Sequence, residues 1–242
     1  MLYEDDGARG SALERPSVKH GLENTYNLRK LFGLLLFQPI IAFFSWVAIS
    51  QIPTVKTWIV AHKSVFIATA VAQAVLPILV TAFRSTFRKP FLSFVSYVLF
   101  SSLLGYNVSY LVYVVDAALP KVVLAHLFFI YFALVLYTFA TYTDLTYATG
   151  SLYIAIGVLV AYQTSMIMTD LSIPKAVVTS LIMIAFGFNL IVSSRLAVSR
   201  TAGQMTPPES PTVGALTIYA FTFKILLETL YNFAKIFKQP RL

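Results

Sequence analysis

The stretch TIYAFTFKILLETLYNFAKIF, residues 217–237, indicates whether this chain is a membrane protein or a soluble one. It is long enough to cross a bilayer, because about 20 apolar residues span the hydrocarbon core. Yet Lys224 and Glu228 lie near its middle, where a lysine costs about 2.5–3.5 kcal/mol. Residues four apart share a helix face, so we expect the two charges to pair inside a bundle. In the alternative, Lys224 lies near the interface and extends its ammonium to the headgroups.

The composition of the whole chain agrees with a membrane environment. Hydrophobic residues make up 58%, charged residues only 12%, and the mean hydropathy is +0.76. Soluble domains contain about 25% charged residues, so we predict an integral membrane protein with the lipid bilayer as its partner. The net charge of +8 lies at the ends of apolar segments, which favours membrane orientation over nucleic-acid binding. With no cysteine and three isolated histidines, we expect neither a metal site nor a cofactor.

Seven apolar segments follow one another along the chain, at 31–52, 65–83, 91–113, 122–142, 148–168, 174–194 and 213–236. Their apolar runs are continuous, which is typical of helices and not of barrel strands. The sequence therefore predicts an all-α integral membrane bundle of seven transmembrane helices. We expect a polar, mobile N-terminal arm at 1–28, a membrane domain at 29–237 and a short basic tail at 238–242. Pro207, Pro208 and Pro211 predict a loop at 195–212.

Lysine and arginine residues near the segment ends indicate the orientation in the membrane. One set of loops carries nine of them: Arg15, Lys19, Arg29, Lys30, Arg84, Arg88, Lys89, Arg195 and Arg200. The alternate loops carry four: Lys56, Lys63, Lys121 and Lys175. The positive-inside rule therefore predicts a cytosolic N-terminus. The side of the C-terminus stays open, because the basic tail favours a last segment that does not cross completely.

Polar side chains inside the segments offer little for catalysis. Asp144 and Asp170 lie at segment ends, so they do not form the facing carboxylates of an aspartyl protease. No serine has a Gly-x-Ser-x-Gly context, and glycine-rich nucleotide loops are missing. We interpret His126 as a hydrogen-bonded packing residue and not as a ligand or proton relay. The amides within the segments are expected to bond between helices: Gln38, Gln73, Asn107, Gln163 and Asn189.

Three stretches in order resemble the Bax inhibitor-1 family, also called the transmembrane Bax inhibitor motif family. LRKLFGLLLFQ at 28–38 is similar to the start of that family's first helix. YTFATYTDLTYATGSLY at 137–153 is similar to the exit of its fourth helix, and GALTIYAFTFKILLETL at 214–230 to its last helix. The resemblance covers about 200 residues and implies a bundle whose last helix is central, wrapped by the other six.

The resemblance also implies a function, from which this chain departs. Characterised members restrain cell death and leak calcium through a pair of aspartates, one late in helix six and one in helix seven. This chain has Ser193 and Phe221 at those positions, and Lys224 lies one turn beyond Phe221. A cation pore needs a negative field or coordinating oxygens. We therefore expect a disabled or repurposed pore, in which Lys224 is held by Glu228 or by Asn189.

Such divergence resembles the cytomegalovirus seven-transmembrane family, several of whose members alter which immune ligands reach the surface of an infected cell. Our leading hypothesis is a non-enzymatic protein of endoplasmic reticulum, Golgi or other endomembranes, host membranes if it is viral. It binds other membrane proteins or modulates cell-death and stress signalling. One alternative is a calcium-permeable leak channel of intracellular membranes that uses Glu228, Asp144 or Asp170, with calcium as its partner. Another is a secondary transporter that couples ions through Lys224 and Glu228.

Overall fold

The computed structural model describes the backbone of residues 7–114, 116–141, 146–203 and 211–238. Side chains are described for 28–114, 116–141, 146–194, 211–222 and 224–225. Within these ranges the chain is all-helical and contains no strand. The helices are α1 Gly7–Ser50, α2 Pro53–Ala61, α3 Lys63–Ala82, α4 Arg84–Phe87, α5 Pro90–Val114, α6 Leu119–Ala140, α7 Tyr147–Met168, α8 Ile173–Gly203 and α9 Pro211–Lys238.

Among the described residues, six helical stretches are long and apolar enough to cross a membrane. They are Leu28–Ser50, Lys63–Ala82, Pro90–Val114, Leu119–Ala140, Tyr147–Met168 and Ile173–Ser194. Each overlaps one of the first six predicted segments, so the chain is a multi-pass, all-α membrane protein. The seventh segment forms the long helix α9, but most side chains of its second half lie outside the described residues. Its crossing of the membrane stays a prediction.

Two connections differ from the sequence prediction. The loop predicted at 195–212 is shorter, because α8 continues to Gly203 and α9 already begins at Pro211. Residues 195–203 contain no proline, so nothing in their covalent structure ends the helix before Gly203. Pro207 and Pro208 lie outside the described residues. At the other end of the chain, α1 begins at Gly7, so the predicted arm is helical from there, while its mobility stays a prediction.

Prolines mark the starts of several helices. Pro53, Pro90 and Pro211 are the first residues of α2, α5 and α9, and Pro120 is the second residue of α6. Proline is well tolerated there because the first amides of a helix have no carbonyl partner within it. These prolines lie in or next to the short connections before α2, α5, α6 and α9.

Helices α1 and α9 share the centre of the bundle. α9 packs against α1, α3, α5 and α8, and α1 packs against α2, α5, α6, α8 and α9. The larger buried cluster joins residues of α1, α6, α7, α8 and α9, including Leu35, Tyr131 and Leu190. A second cluster joins α3, α5 and α9, and contains Phe100 and Leu216. Because α9 contributes to both clusters, it links the two halves of the bundle.

Helix α5 approaches α1 closely at Gly105. A Cβ atom at this position would lie 2.5 Å from Cβ of Ser45 and 2.7 Å from the carbonyl oxygen of Ala42. Small residues let helix backbones approach closely, which is the main source of packing energy between helices in lipid. Gly33 of α1 is a natural comparison, because a Cβ atom there meets nothing within 4 Å.

We predict that Gly105→Ala destabilises the bundle by about 1–3 kcal/mol, because the added methyl group separates α1 from α5. Gly33→Ala is the matched control, and we expect it to be neutral or stabilising by up to about 1 kcal/mol through helix propensity. The measurement is the temperature at which each purified protein in detergent loses its monodisperse elution. A Gly105→Ala protein as heat-resistant as Gly33→Ala would contradict the close contact.

Candidate functional site

Three polar side chains meet where α8 packs against α9. Ser193 is completely buried, and its hydroxyl lies 3.1 Å from the hydroxyl of Thr222, which donates to it. The Ser193 hydroxyl in turn lies 3.4 Å from Oδ1 of Asn189. The amide of Asn189 donates to the main-chain carbonyl of Thr222 at 3.2 Å. The α8–α9 contact is therefore a small, closed hydrogen-bonded group of neutral side chains.

The second position implied by the resemblance lies beside this group. Phe221 is 8% exposed and belongs to the larger buried cluster. The neighbour of Ser193 across the helix contact is Thr222, the residue after Phe221. The side chain that faces a carboxylate at position 193 most directly would therefore be the one at position 222. The resemblance points to position 221 instead.

The predicted interior placement of Lys224 is wrong, because its side chain is exposed. Three residues turn an α-helix by about 300°, so Lys224 lies about 60° around α9 from Phe221. That rotation explains why Lys224 is exposed although Phe221 is buried. The side chain of Glu228 lies outside the described residues, so its predicted pairing with Lys224 stays a prediction.

The remaining predicted polar residues do not join Ser193. His126 is completely buried in α6, where Nδ1 lies 2.8 Å from the carbonyl oxygen of Val122 and Nε2 lies 3.0 Å from the hydroxyl of Ser180. Ser180 and Ser193 are thirteen residues apart on α8, which corresponds to about 20 Å along the helix. Asp170 is exposed in the connection before α8, and Asp144 lies outside the described residues.

Bonds between helices also satisfy two of the predicted amides. Asn107 of α5 donates to Oε1 of Gln73 at 2.6 Å, and its own Oδ1 accepts from Thr69 at 2.8 Å. Both partners lie on α3. The prediction that Gln73 and Asn107 bond between helices is therefore confirmed. These bonds join α3 to α5 within the bundle.

A group of tyrosines, which the sequence did not single out, forms the centre of the bundle. The hydroxyl of Tyr219 in α9 donates to Oε1 of Gln38 in α1. The hydroxyl of Tyr131 in α6 lies 2.7 Å from the same Tyr219 hydroxyl. Tyr97 of α5 donates to the carbonyl oxygen of Leu34 in α1. The ring of Tyr219 also lies 4.8 Å from that of Phe100. Tyr219 thus joins four helices through one side chain.

A second missed residue is Asp116, in the connection before α6. Its Oδ1 accepts from the amides of Ala118 at 2.8 Å and Leu119 at 3.3 Å, and its Oδ2 lies 3.5 Å from Nζ of Lys175. The hydrogen bonds from the main-chain amides lower the pKa of Asp116, and the bond from Ala118 has the largest effect. Aspartate accepts from main-chain amides two and three residues later in an Asx turn, and an aspartate just before a predicted helix could have identified this turn. It stabilises the start of α6 and contacts the start of α8.

The chain matches no family model, and no curated protein or solved structure matches it. The resemblance to the Bax inhibitor-1 family and to the cytomegalovirus seven-transmembrane family therefore stays a prediction from the quoted residues. We therefore infer a function from the contacts of the described side chains.

We predict that Tyr219→Phe destabilises the bundle by about 1–2 kcal/mol, although hydrogen bonds between membrane helices average only about 0.6 kcal/mol. The larger value is expected because the change leaves both Gln38 Oε1 and the Tyr131 hydroxyl without this partner in a buried site. The measurement is reversible unfolding in mixed micelles as the fraction of denaturing detergent is raised.

The matched control is Tyr106→Phe. The Tyr106 hydroxyl is buried and has no hydrogen-bond partner among the described residues. Its removal should therefore be neutral or stabilising. If the two variants unfold at the same detergent composition, the tyrosine group does not hold the helices together.

Proposed function

We propose that this chain is a non-enzymatic multi-pass membrane protein that acts by binding other membrane proteins and does not conduct calcium. The observation that carries the proposal is the α8–α9 contact, where Asn189, Ser193 and Thr222 bond to one another. A calcium path needs carboxylates or unoccupied oxygens at its narrowest point. Here the oxygens are already hydrogen-bonded, and the neighbouring Phe221 is buried in the larger cluster.

The charges elsewhere support the same conclusion. Among the described residues, no three histidine, cysteine, aspartate or glutamate side chains lie close enough together to hold a metal ion. Asp116 and Asp170 lie in connections between helices and not within the apolar spans. Oε1 of Gln38 and both ring nitrogens of His126 have protein partners. Such an interior favours packing over ion conduction.

The outer face of α3 supplies a surface for a helix of another membrane protein. Only 11% of the apolar span Lys63–Ala82 is buried within the bundle. The large apolar residues Ile67, Val71, Val75 and Ile78 are all exposed at helical spacing and form one face. Association of helices in lipid depends on such packing faces. With the suggested resemblance, the proposed role is modulation of cell-death or stress signalling in endomembranes, or of immune-ligand trafficking if the chain is viral.

We predict that the purified protein in liposomes leaks little calcium, and that Ser193→Asp with Thr222→Asp creates a leak. The two hydroxyls are 3.1 Å apart, so two carboxylates at these positions would share one proton at acidic pH. At higher pH both carboxylates would be ionised, repel each other and attract calcium. The leak should therefore increase with pH. A calcium-sensitive dye inside the liposomes measures it.

The matched control is Ser193→Asn with Thr222→Asn, which has nearly the same volume and polarity but no charge. This control should leak no more than the unmodified protein. Helix content and monodisperse elution of both double variants are compared first, so that an unfolded protein is not read as a channel. Rapid calcium flux through the unmodified protein would overturn the proposal and favour the channel alternative, with Glu228, Asp144 and Asp170 as the next carboxylates to replace.

A further inference from the structure

A cavity of about 400 Å³ lies between α1, α6 and α7, well away from the α8–α9 contact. Its walls come from the last third of α1, the first half of α6 and the end of α7. Because α1 and α7 end where α6 begins, all three helices bring the same membrane-surface end to the cavity. Phe43 and Met168 in its wall are 44% and 78% exposed, so the cavity opens to the outside of the bundle.

Different residues line the outer and the inner part of the cavity. Lys121 marks its outer end, two residues after the start of α6, and Phe129 marks its inner end. These two residues are eight apart on one helix, which corresponds to about 12 Å. One leaflet of a bilayer contributes about 15 Å of hydrocarbon, half of the total thickness. The cavity therefore extends from the membrane surface through most of one leaflet, and its inner part is lined by Pro39, Ile40 and Phe128.

Three hydrogen-bond donors lie in the outer part. The Nζ atom of Lys121 lies 5.4 Å from the ring centre of Trp46. Ser165 is only 3% exposed, and its hydroxyl has no hydrogen-bond partner among the described residues. The indole Nε1 of Trp46 is likewise buried and unpartnered within the described part of the chain. By contrast, the hydroxyls of Thr164 and Thr169, also in the wall, already donate to main-chain carbonyls.

We propose that this cavity binds one anionic phospholipid of the bilayer, with an acyl chain in the inner part and the phosphate near Lys121. Buried donors without partners are costly, and acceptors from a ligand would satisfy them. The glycerol ester carbonyls of a phospholipid are acceptors that lie just below its phosphate, at the level of Trp46 and Ser165. The ammonium of Lys121 complements the phosphate charge, and the apolar inner wall suits the acyl chain.

A phospholipid fits these observations better than the helix of a partner protein. A helix with side chains is about 10 Å wide, whereas the volume of about 400 Å³ lies in the range of small-molecule sites. The opening faces the region where lipid surrounds the bundle, so a phospholipid can enter sideways without crossing water. This binding site does not depend on whether the α8–α9 contact conducts ions.

The test uses the fluorescence of Trp46 as a proximity probe. The chain has two tryptophans, and Trp58→Phe leaves Trp46 as the single one. This protein is reconstituted in phosphatidylcholine vesicles that contain a minor fraction of phosphatidylglycerol brominated in its acyl chains. Bromine quenches tryptophan on contact. We expect phosphatidylglycerol to bind about threefold more tightly than equally brominated phosphatidylcholine, the selectivity that one partly exposed ion pair provides.

Three substitutions in the Trp58→Phe background separate a built site from general attraction to the surface. Lys121→Gln should abolish the preference, and Lys121→Arg should keep it. Lys63→Gln removes the same charge at a lysine that does not line the cavity, so it should keep the preference. Ala125→Leu adds volume to the wall and should lower the quenching by brominated phosphatidylglycerol.

Each contrary result overturns the proposal. Equal quenching by the two brominated phospholipids would show that the site does not recognise an anionic headgroup. An equal loss with Lys63→Gln and Lys121→Gln would assign the preference to the overall surface charge. Unchanged quenching in Ala125→Leu would place the acyl chain outside the cavity. Quenching by a brominated fatty acid, and by neither phospholipid, would assign the cavity to a free amphiphile.

Discussion

The absence of water from the bilayer core is the constraint on which this structure depends. Every buried polar group there needs a partner within the protein, because an unsatisfied group costs several kcal/mol. The main chain meets this demand by forming helices throughout the described spans. The polar side chains meet it in pairs and small groups, each of which joins helices: Gln73 with Asn107, His126 with Ser180, Gln38 with Tyr219, and Ser193 with Thr222.

These groups lie at different depths and have different consequences. The Tyr219 group joins α1, α5, α6 and α9 at the centre, so it fixes how the two halves of the bundle meet. The Ser193 group closes the contact of α8 with α9 by neutral hydrogen bonds alone. Two of the buried donors that lack a partner among the described residues, on Trp46 and Ser165, lie together in an open cavity beside a lysine. A bound phospholipid would supply the acceptors that these two donors lack.

The sequence predicted the six spans well, because a continuous apolar run of about 20 residues has few other stable structures. It missed α2 and α4, which are too short to leave a periodic pattern. The tyrosine group was missed because Tyr131 and Tyr219 are 88 residues apart and count as apolar residues within their spans. The prediction for Lys224 was wrong because residues three apart on a helix still differ by about 60° in direction around its axis. A long side chain such as lysine can therefore reach the surface from a position next to a buried one. Ser193 was named through the resemblance, as the residue at a pore-aspartate position, but its neighbour Thr222 could be found only from the packing of α8 on α9.

Chemical labelling measures whether the α8–α9 contact is closed to water and ions. The chain has no cysteine, so Ser193→Cys introduces a single thiol at the contact, and Thr54→Cys places one on the exposed surface of α2. Both proteins, reconstituted in liposomes, are exposed to a charged thiol reagent that enters only water-filled space. We expect rapid labelling at position 54 and none at position 193 until the protein is denatured. Labelling of both thiols at similar rates in the native protein would reveal a water-filled path and contradict it.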